Sequence, residues 1–300
     1  MAEKRVRILV SNDDGIMGEG MLALVRVFGV EHADRYDVKV SCPAEEQSAK
    51  GHSITLYSLL EAERYVLPEP LADIEAYKVF GSPVDSVKCC MLGSFFGEEW
   101  QPDVILSGIN KGANTGVNVL YSGTVGAARE GTINGIPAIA LSLHFDQTNK
   151  HHLHFADAAK ALVTFVDWYC VSLQNVAFRK AFENITVNVN VPNRPGDTYK
   201  GWRLTNQGLS KFNDRYVIEK DNKNMLERKG SFTALLKNGP DLKNHTTFHI
   251  IGTMVVTDES IDFDTKATHE GYISITAIPL IPSVDDRSAK EEIQKFLSTQ

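Results

Sequence analysis

The chain has 300 residues, of which 43% are hydrophobic and 23% are charged, the composition of an ordinary globular protein. Its formal net charge of −7 argues against duplex nucleic acid as a main partner, because surfaces that bind a phosphate backbone are basic. No apolar run approaches the roughly 20 residues of a membrane-spanning helix, so we expect no membrane partner.

The N-terminal residues and the cysteines both bear on localisation. A charged stretch runs directly into the first apolar segment and leaves no room for a signal peptide. The four cysteines, at positions 42, 89, 90 and 170, have no metal-ligand spacing and no secreted disulfide pattern. We therefore expect reduced thiols and a cytoplasmic protein.

The first apolar segment, Val6 to Val10, predicts a buried strand that ends in Asn12-Asp13-Asp14-Gly15. Gly15 can adopt a positive φ, so the chain can turn sharply there. Two adjacent carboxylates repel each other unless a cation lies between them. Oxygen ligands suit Mg²⁺ or Mn²⁺, and the carboxyl ends of strands are where α/β sheets bind ligands. A polar turn without a metal is an equally good interpretation of this stretch alone.

A second strand is predicted from Tyr36 to Cys42, followed by a polar loop at 43–52 that includes Ser48. The Ser48 hydroxyl suits a metal or a phosphate, although a solvated serine is the commoner case. Residues 53–60 are predicted to form a further strand or hairpin arm. A short strand at 76–80 precedes Pro83, which fits the first turn of a helix.

The strand predicted at 102–110 is followed by a loop rich in glycine and asparagine. Gly108 allows backbone N–H groups to approach an anion, Asn110 offers a neutral oxygen ligand, and Asn114 offers donors. The alternative is a tight connection without a ligand. Neither G-x-x-x-x-G-K-[ST] nor a G-x-G-x-x-G after the first strand is present, which excludes a P-loop and the dinucleotide fingerprint.

Small residues then lead from a loop into a predicted helix. Ser122, Gly123 and Thr124 fall at its N-terminus, where free N–H groups and the helix dipole favour phosphate. Further on, His151, His152 and His154 lack the spacing of helical metal ligands, and we interpret them as surface imidazoles.

The alternation of strands and helices up to residue 192 predicts an α/β fold. We expect a Rossmann-like, mostly parallel sheet with helices on both faces and a β-rich C-terminal arm. The expected division is a catalytic core at 1–195, an arm at 196–285 that serves oligomerisation and returns to the core, and a terminal helix at 286–300. An acidic run in the arm is expected to be solvated rather than a second metal site; it comprises Asp258, Glu259, Asp262 and Asp264.

Taken together, these motifs resemble the SurE (survival protein E) nucleotidase family over most of residues 5–192 and again around 265–280. Each motif is weak alone, but five in order at compatible spacings are specific. These five stretches are 11–15, 43–48, 81–85, 107–116 and 121–125, and residues 270–276 near the end also resemble the family. The sequence of residues 49–53 resembles that of plant members of the family.

The resemblance implies a metal-dependent phosphomonoesterase that hydrolyses nucleoside monophosphates. The implied ligands of Mg²⁺ or Mn²⁺ are Asp13, Asp14, Ser48 and Asn110, with both aspartates catalytic. Substrate contacts are expected from Asn12, Gly15, Gly108, Asn114, Ser122, Gly123 and Thr124. Family members form dimers or tetramers through C-terminal arms, so the resemblance also implies a homodimer or homotetramer.

An alternative of a different class is a nucleotide-binding regulatory protein with little turnover. Such a protein would keep the glycine-rich loops but would need no carboxylates competent to bind a metal. The presence together of Asp13, Asp14, Ser48 and Asn110 favours the enzyme.

Overall fold

The structure is a computed structural model that describes residues 5–146, 148–218 and 248–300. The chain divides into a large unit, Met1–Ser210 with Val256–Gln300, and a small unit, Lys211–Val255. Within the described residues no helix is long and apolar enough to cross a membrane. The four cysteines are free thiols, as expected.

Eleven strands are present in the described part of the chain. They are β1 (Val6–Ser11), β2 (Tyr36–Pro43), β3 (Ala62–Tyr65), β4 (Ala76–Val79), β5 (Val104–Lys111), β6 (Ala138–His144), β7 (Ile185–Pro192), β8 (Trp202–Thr205), β9 (Lys211–Ile218), β10 (Phe248–Val255) and β11 (Ile273–Pro279). Nine of them form one sheet in the order β3-β4-β2-β1-β5-β6-β7-β11-β8. The run from β4 to β7 is parallel, while β3 and β11 are antiparallel to their neighbours β4 and β7.

The helices cover both faces of this sheet. They are α1 (Glu19–Arg26), α2 (Pro83–Gly93), α3 (Gly123–Ile133), α4 (Phe155–Ser172), α5 (Val176–Ala181), α6 (Asp264–Glu270) and α7 (Arg287–Leu297). Ile8 and Val10 of β1 share a hydrophobic core with α1, α4 and α7, whereas Leu9 shares a second core with α2 and α3. Successive side chains of a strand point to opposite faces, so a parallel strand that is covered on both sides is apolar throughout.

The chain order of the strands reverses next to β1. Its hydrogen-bonded neighbours are β2 on one side and β5 on the other. Such a reversal opens a crevice at the carboxyl ends of the two strands, which is the usual ligand-binding position in this fold class. The Asp13–Asp14 pair lies just after the end of β1, and Asn110 is the penultimate residue of β5.

The predicted α/β fold class is confirmed, with mostly parallel strands and helices on both faces. The strand predicted at 53–60 is wrong, because this segment has no ladder partner and β3 begins only at Ala62. Instead, the backbone N–H and the hydroxyl of Thr55 donate to the Asp85 carboxylate at 2.9 and 2.7 Å. The Asp85 carboxylate thus accepts hydrogen bonds that a neighbouring strand would accept if this segment were a strand.

The segment predicted as a β-rich arm is divided in the structure. β8, α6 and β11 belong to the large unit, and β8 and β11 extend the main sheet. In the small unit, β9 and β10 form a two-stranded antiparallel ribbon with Lys211 opposite Val255. Residues 219–247 of the predicted arm lie outside the described residues.

Two carboxylates of the acidic run are buried, so the expectation of solvation was wrong for them. Asp264 accepts backbone N–H groups from Gly116 at 3.0 Å and Gly208 at 3.0 Å. Asp258 accepts the N–H groups of Leu209 and Ser210, each at 3.0 Å. Backbone N–H groups, rather than water, therefore satisfy the hydrogen-bonding capacity of these two carboxylates.

We predict that Gly20→Ala destabilises the protein, although alanine favours a helix over glycine by about 1 kcal/mol. A Cβ at Gly20, in α1, would lie 1.9 Å from the carbonyl oxygen of Ile109 in β5. The clash should lower the free energy of unfolding by about 2–4 kcal/mol in a urea titration.

The matched control is Gly135→Ala, where φ is +76° and no atom lies within 4 Å of the new Cβ. This variant should lose only about 1 kcal/mol, from backbone strain. A Gly20→Ala protein as stable as the wild type would contradict the close packing of α1 on β5.

Candidate active site

Asp13 lies against the N-terminus of α3. The Thr124 backbone N–H donates to one carboxylate oxygen at 3.2 Å, and the Thr124 hydroxyl donates to the other at 2.5 Å. Ser122 caps the helix by accepting the Val125 N–H at 3.0 Å. A Cβ at Gly123 would lie 2.9 Å from the Cβ of Asp13, so only glycine permits this approach. The helix N-terminus that the sequence assigned to an anion therefore faces a carboxylate of the chain itself.

Asp14 links the ends of the two strands at the chain reversal. The backbone N–H of Lys111, the last residue of β5, donates to the Asp14 carboxylate at 3.0 Å. Gly15 has a φ of +89°, as the predicted turn requires. The turn after β1 thus directs one carboxylate toward α3 and the next toward β5.

Burial governs the electrostatics of this pair. Burial raises the pKa of Asp13, partly offset by its hydrogen bonds from Thr124. Burial and the charge of Asp13 raise the pKa of Asp14 to about 6. Among the described residues, no lysine, arginine or histidine forms an ion pair with either carboxylate. The charge of Lys111 lowers the pKa of Asp14 only in part, and two adjacent carboxylates without an ion pair fit a site for a divalent cation.

The two neutral ligands predicted from the sequence lie next to residues that contact this pair. The Asn110 Nδ2 donates to the carbonyl of Gly112 at 2.7 Å, which leaves the amide oxygen for another ligand. Ser48 is exposed and donates to Glu46 at 2.9 Å. The preceding N–H, of Gln47, donates to the Asp13 carbonyl at 2.7 Å.

The donor set consists of hard oxygen atoms, which suits Mg²⁺ or Mn²⁺ rather than a soft metal. Within the described ranges, no three His, Cys, Asp or Glu side chains are grouped as a metal site. A cation at the Asp13–Asp14 pair would therefore depend on two carboxylates completed by amide and hydroxyl oxygens. The residues present fit such a group.

Several predicted substrate residues have structural contacts of their own. Asn12 is buried and donates to the Gly15 carbonyl at 2.8 Å, while its amide oxygen has no hydrogen-bond partner among the described residues. Asn114 donates to the Ser142 hydroxyl at 2.8 Å, and its backbone N–H is held by Asn190. Gly108 has a φ of +137°, and a Cβ there would lie 2.1 Å from the carbonyl oxygen of Leu141. A role of these residues in substrate binding stays a prediction.

The loop that carries Ser48 is anchored to α3 by contacts that the sequence did not reveal. The Gly51 N–H donates to the Tyr121 carbonyl at 2.9 Å. The His52 ring nitrogen lies 2.9 Å from a carboxylate oxygen of the buried Glu130, whose other oxygen is 2.5 Å from the Lys88 ammonium. A single glutamate therefore joins the loop, α2 and α3. One sequence feature could have indicated this role. Glu130 lies in a helix of small residues that pack closely, and a glutamate that is buried there needs charged or hydrogen-bonding partners.

We predict that Glu130→Gln destabilises the protein at neutral pH. Hydrogen bonds from His52, Lys88 and Asn134 outweigh burial and lower the pKa of Glu130 from its ordinary 4.5 to about 2. A lowered folded-state pKa contributes stability above the unfolded-state value, and that contribution is lost as pH falls toward 2. The deficit of the variant should be about 1–3 kcal/mol at pH 7 and should shrink at pH 3.

Urea titrations at both pH values measure this difference. The exposed Glu98→Gln is the control and should match the wild type at each pH. A deficit of Glu130→Gln that is independent of pH would show that packing, rather than charge, anchors the loop.

Comparisons with known proteins show the family of this chain. The family described as Survival protein SurE matches residues 8–214. A protein named 5'-nucleotidase SurE from Gloeobacter violaceus is 37% identical over 274 residues, covering 91% of this chain and 89% of its own. One of the same name from Desulfatibacillum aliphaticivorans is 38% identical over 237 residues, covering 79% and 85%.

A solved structure shows the same architecture. The crystal structure of the SurE protein from Aquifex aeolicus matches with a TM-score of 0.67 and 27% identity, covering 97% of this chain and 99% of that chain. The predicted family resemblance is confirmed, whereas the likeness to plant members stays a prediction. With a family match over two thirds of its length and relatives above 30% identity, the chain belongs to the SurE family.

Proposed function

We propose that the protein is a metal-dependent phosphomonoesterase that hydrolyses nucleoside monophosphates to nucleoside and phosphate. The relatives named 5'-nucleotidase SurE support the reaction class. The observation that carries the metal dependence is the Asp13–Asp14 pair, with Asp13 buried and Asp14 half-buried. The N-terminus of α3 and the end of β5 hold this pair, and no ion pair neutralises it among the described residues.

The cation, Mg²⁺ or Mn²⁺, would be held by Asp13, Asp14, Ser48 and Asn110. When bound, it would neutralise phosphoryl charge and acidify a water molecule. The protein supplies orientation. Thr124 fixes both oxygens of Asp13, and the Lys111 N–H fixes one oxygen of Asp14. Held groups do not need to reorganise during the reaction, which is the main advantage of a preformed polar site.

The remaining steps use groups at the same edge of the sheet. We place the phosphate beside the same end of α3, near Ser122, Gly123 and Thr124, where the helix dipole would act on it together with the Asp13 carboxylate that Thr124 already holds. We assign Asp13 to orienting the attacking water and accepting its proton, because its carboxylate lies against this helix end. Asn12 and Gly15 shape the turn that presents both carboxylates.

We also propose that the β9–β10 ribbon mediates contact between copies of the chain, as a homodimer or homotetramer. An isolated two-stranded ribbon is only marginally stable in water. The described part of this ribbon exposes apolar side chains, and these are Phe212, Tyr216, Ile250, Ile251 and Val255. Burial of such a surface against a second copy would remove it from water.

The direct test is phosphate release from a panel of nucleoside monophosphates and from glycerol phosphate. Each substrate is assayed with Mg²⁺, with Mn²⁺ and with a chelator. We expect release that requires metal and is faster with nucleotides. Tight nucleotide binding without release at saturating metal would instead support a nucleotide-binding regulatory protein.

We predict that Asp13→Asn lowers kcat by at least about 10³-fold, as is usual when a charged catalytic group is removed. The fold should survive, because the amide replaces a carboxylate whose charge is disfavoured by burial. Asp73→Asn makes the same charge change at an exposed position and should leave kcat unchanged. Near-normal turnover of Asp13→Asn, with unfolding transitions equal in all three proteins, would refute the proposed site.

A further inference from the structure

An exposed aromatic side chain stands immediately before the N-terminus of α3. Tyr121 precedes the capping residue Ser122, and its side chain is 61% exposed. The neighbouring Leu120 is 64% exposed, so an apolar surface borders the helix end that faces Asp13. Resting on the function proposed above, we propose that the nucleobase of the substrate stacks on the ring of Tyr121. Tyr121 is then the residue that distinguishes nucleotides from other phosphate monoesters.

The backbone of Tyr121 is held on both sides, so only the two side-chain torsions set the position of its ring. Its N–H donates to the Asn118 carbonyl at 3.0 Å, and its carbonyl accepts the Gly51 N–H at 2.9 Å. The residue that follows begins the cap of α3. An aromatic side chain on such a backbone loses little conformational entropy when a ligand stacks on it, because tyrosine has only two side-chain torsions.

The distance from Tyr121 to the helix end at Gly123 also suits a nucleoside monophosphate. A Cβ at Gly123 would lie 2.9 Å from Asp13, so Gly123 marks the contact of α3 with the catalytic carboxylate. Two residues of chain span at most about 7 Å, which limits the separation of the Tyr121 and Gly123 backbones. One sugar ring separates the base from the phosphate in a nucleoside monophosphate, and this is a comparable length.

The chemistry of the ring fits a nucleobase and favours no particular one. Among the described residues, no aromatic side chain or guanidinium packs on the Tyr121 ring. Every base has a π face, so stacking provides binding that tolerates different bases. Nearby Lys50 is exposed and could recognise phosphate charge only, whereas His52 already pairs with Glu130. Of these three residues, we assign base recognition to Tyr121, whose ring is exposed.

The test compares Tyr121→Leu, which keeps apolar bulk but removes the π face, with Tyr121→Phe, which keeps it. Adenosine and cytidine monophosphates are assayed beside glycerol phosphate, which has no base. We expect Tyr121→Leu to raise KM for both nucleotides about tenfold or more, with little change in kcat. Its constants for glycerol phosphate should equal those of the wild type, and Tyr121→Phe should behave like the wild type throughout.

Two results would overturn the stacking role. One is an equal effect of Tyr121→Leu on nucleotides and on glycerol phosphate, which would indicate damage to the helix N-terminus. The other is no effect on any substrate.

Calorimetric binding of adenosine monophosphate separates this role from the proposed reaction. If the wild type released no phosphate, the proposed function would fail, yet Tyr121→Leu should still weaken binding about tenfold while Tyr121→Phe does not. Equal affinities of all three proteins would refute the stacking role whatever the turnover.

Discussion

The contact between Asp13 and the N-terminus of α3 is the constraint on which the rest of the site depends. The Thr124 hydroxyl and N–H fix the carboxylate, and Gly123 allows the helix to approach within contact distance. The same helix carries Glu130 at its far end, and Glu130 anchors the loop of Ser48 through His52. One helix therefore positions the first carboxylate, the cap at Ser122 and the loop that brings the hydroxyl ligand. The small residues of α3 permit this closeness because larger side chains would keep the helix away from the sheet.

The electrostatic cost of this arrangement falls on the Asp13–Asp14 pair. Asp13 and Asp14 carry like charges on adjacent residues, and burial disfavours both. Glu130 is buried as well, yet its pKa is lowered because Lys88, His52 and Asn134 surround it. The chain thus compensates the carboxylate that has a structural role with its own cations and hydrogen bonds. The Asp13–Asp14 pair has no ion pair within the described residues, and the Thr124 hydrogen bonds and the Lys111 charge offset its burial only in part, which is expected where an external cation binds.

Much of the fold followed from local sequence patterns, because they require only the nearest residues. The strand predicted from Tyr36 to Cys42 is found at Tyr36–Pro43, and Asp13-Asp14 stands at the predicted strand end. Contacts between distant residues were not predictable in this way. Thr124 and Asp13 are separated by 111 positions, and Lys111 and Asp14 by 97. The failures have the same cause: Thr55 in the segment 53–60 and the buried Asp258 and Asp264 are each held by a partner far along the chain.

The most direct test of the central claim is a Mn²⁺ titration in which electron paramagnetic resonance reports the free ion, with no substrate present. The wild type should bind Mn²⁺ at one site per chain. Asp14→Asn should weaken that affinity about 100-fold or more, since even residues outside the ligand shell change metal affinity about 10- to 100-fold. Equal affinities of the two proteins would contradict a cation held by the Asp13–Asp14 pair, and with it the metal-dependent reaction proposed for this chain.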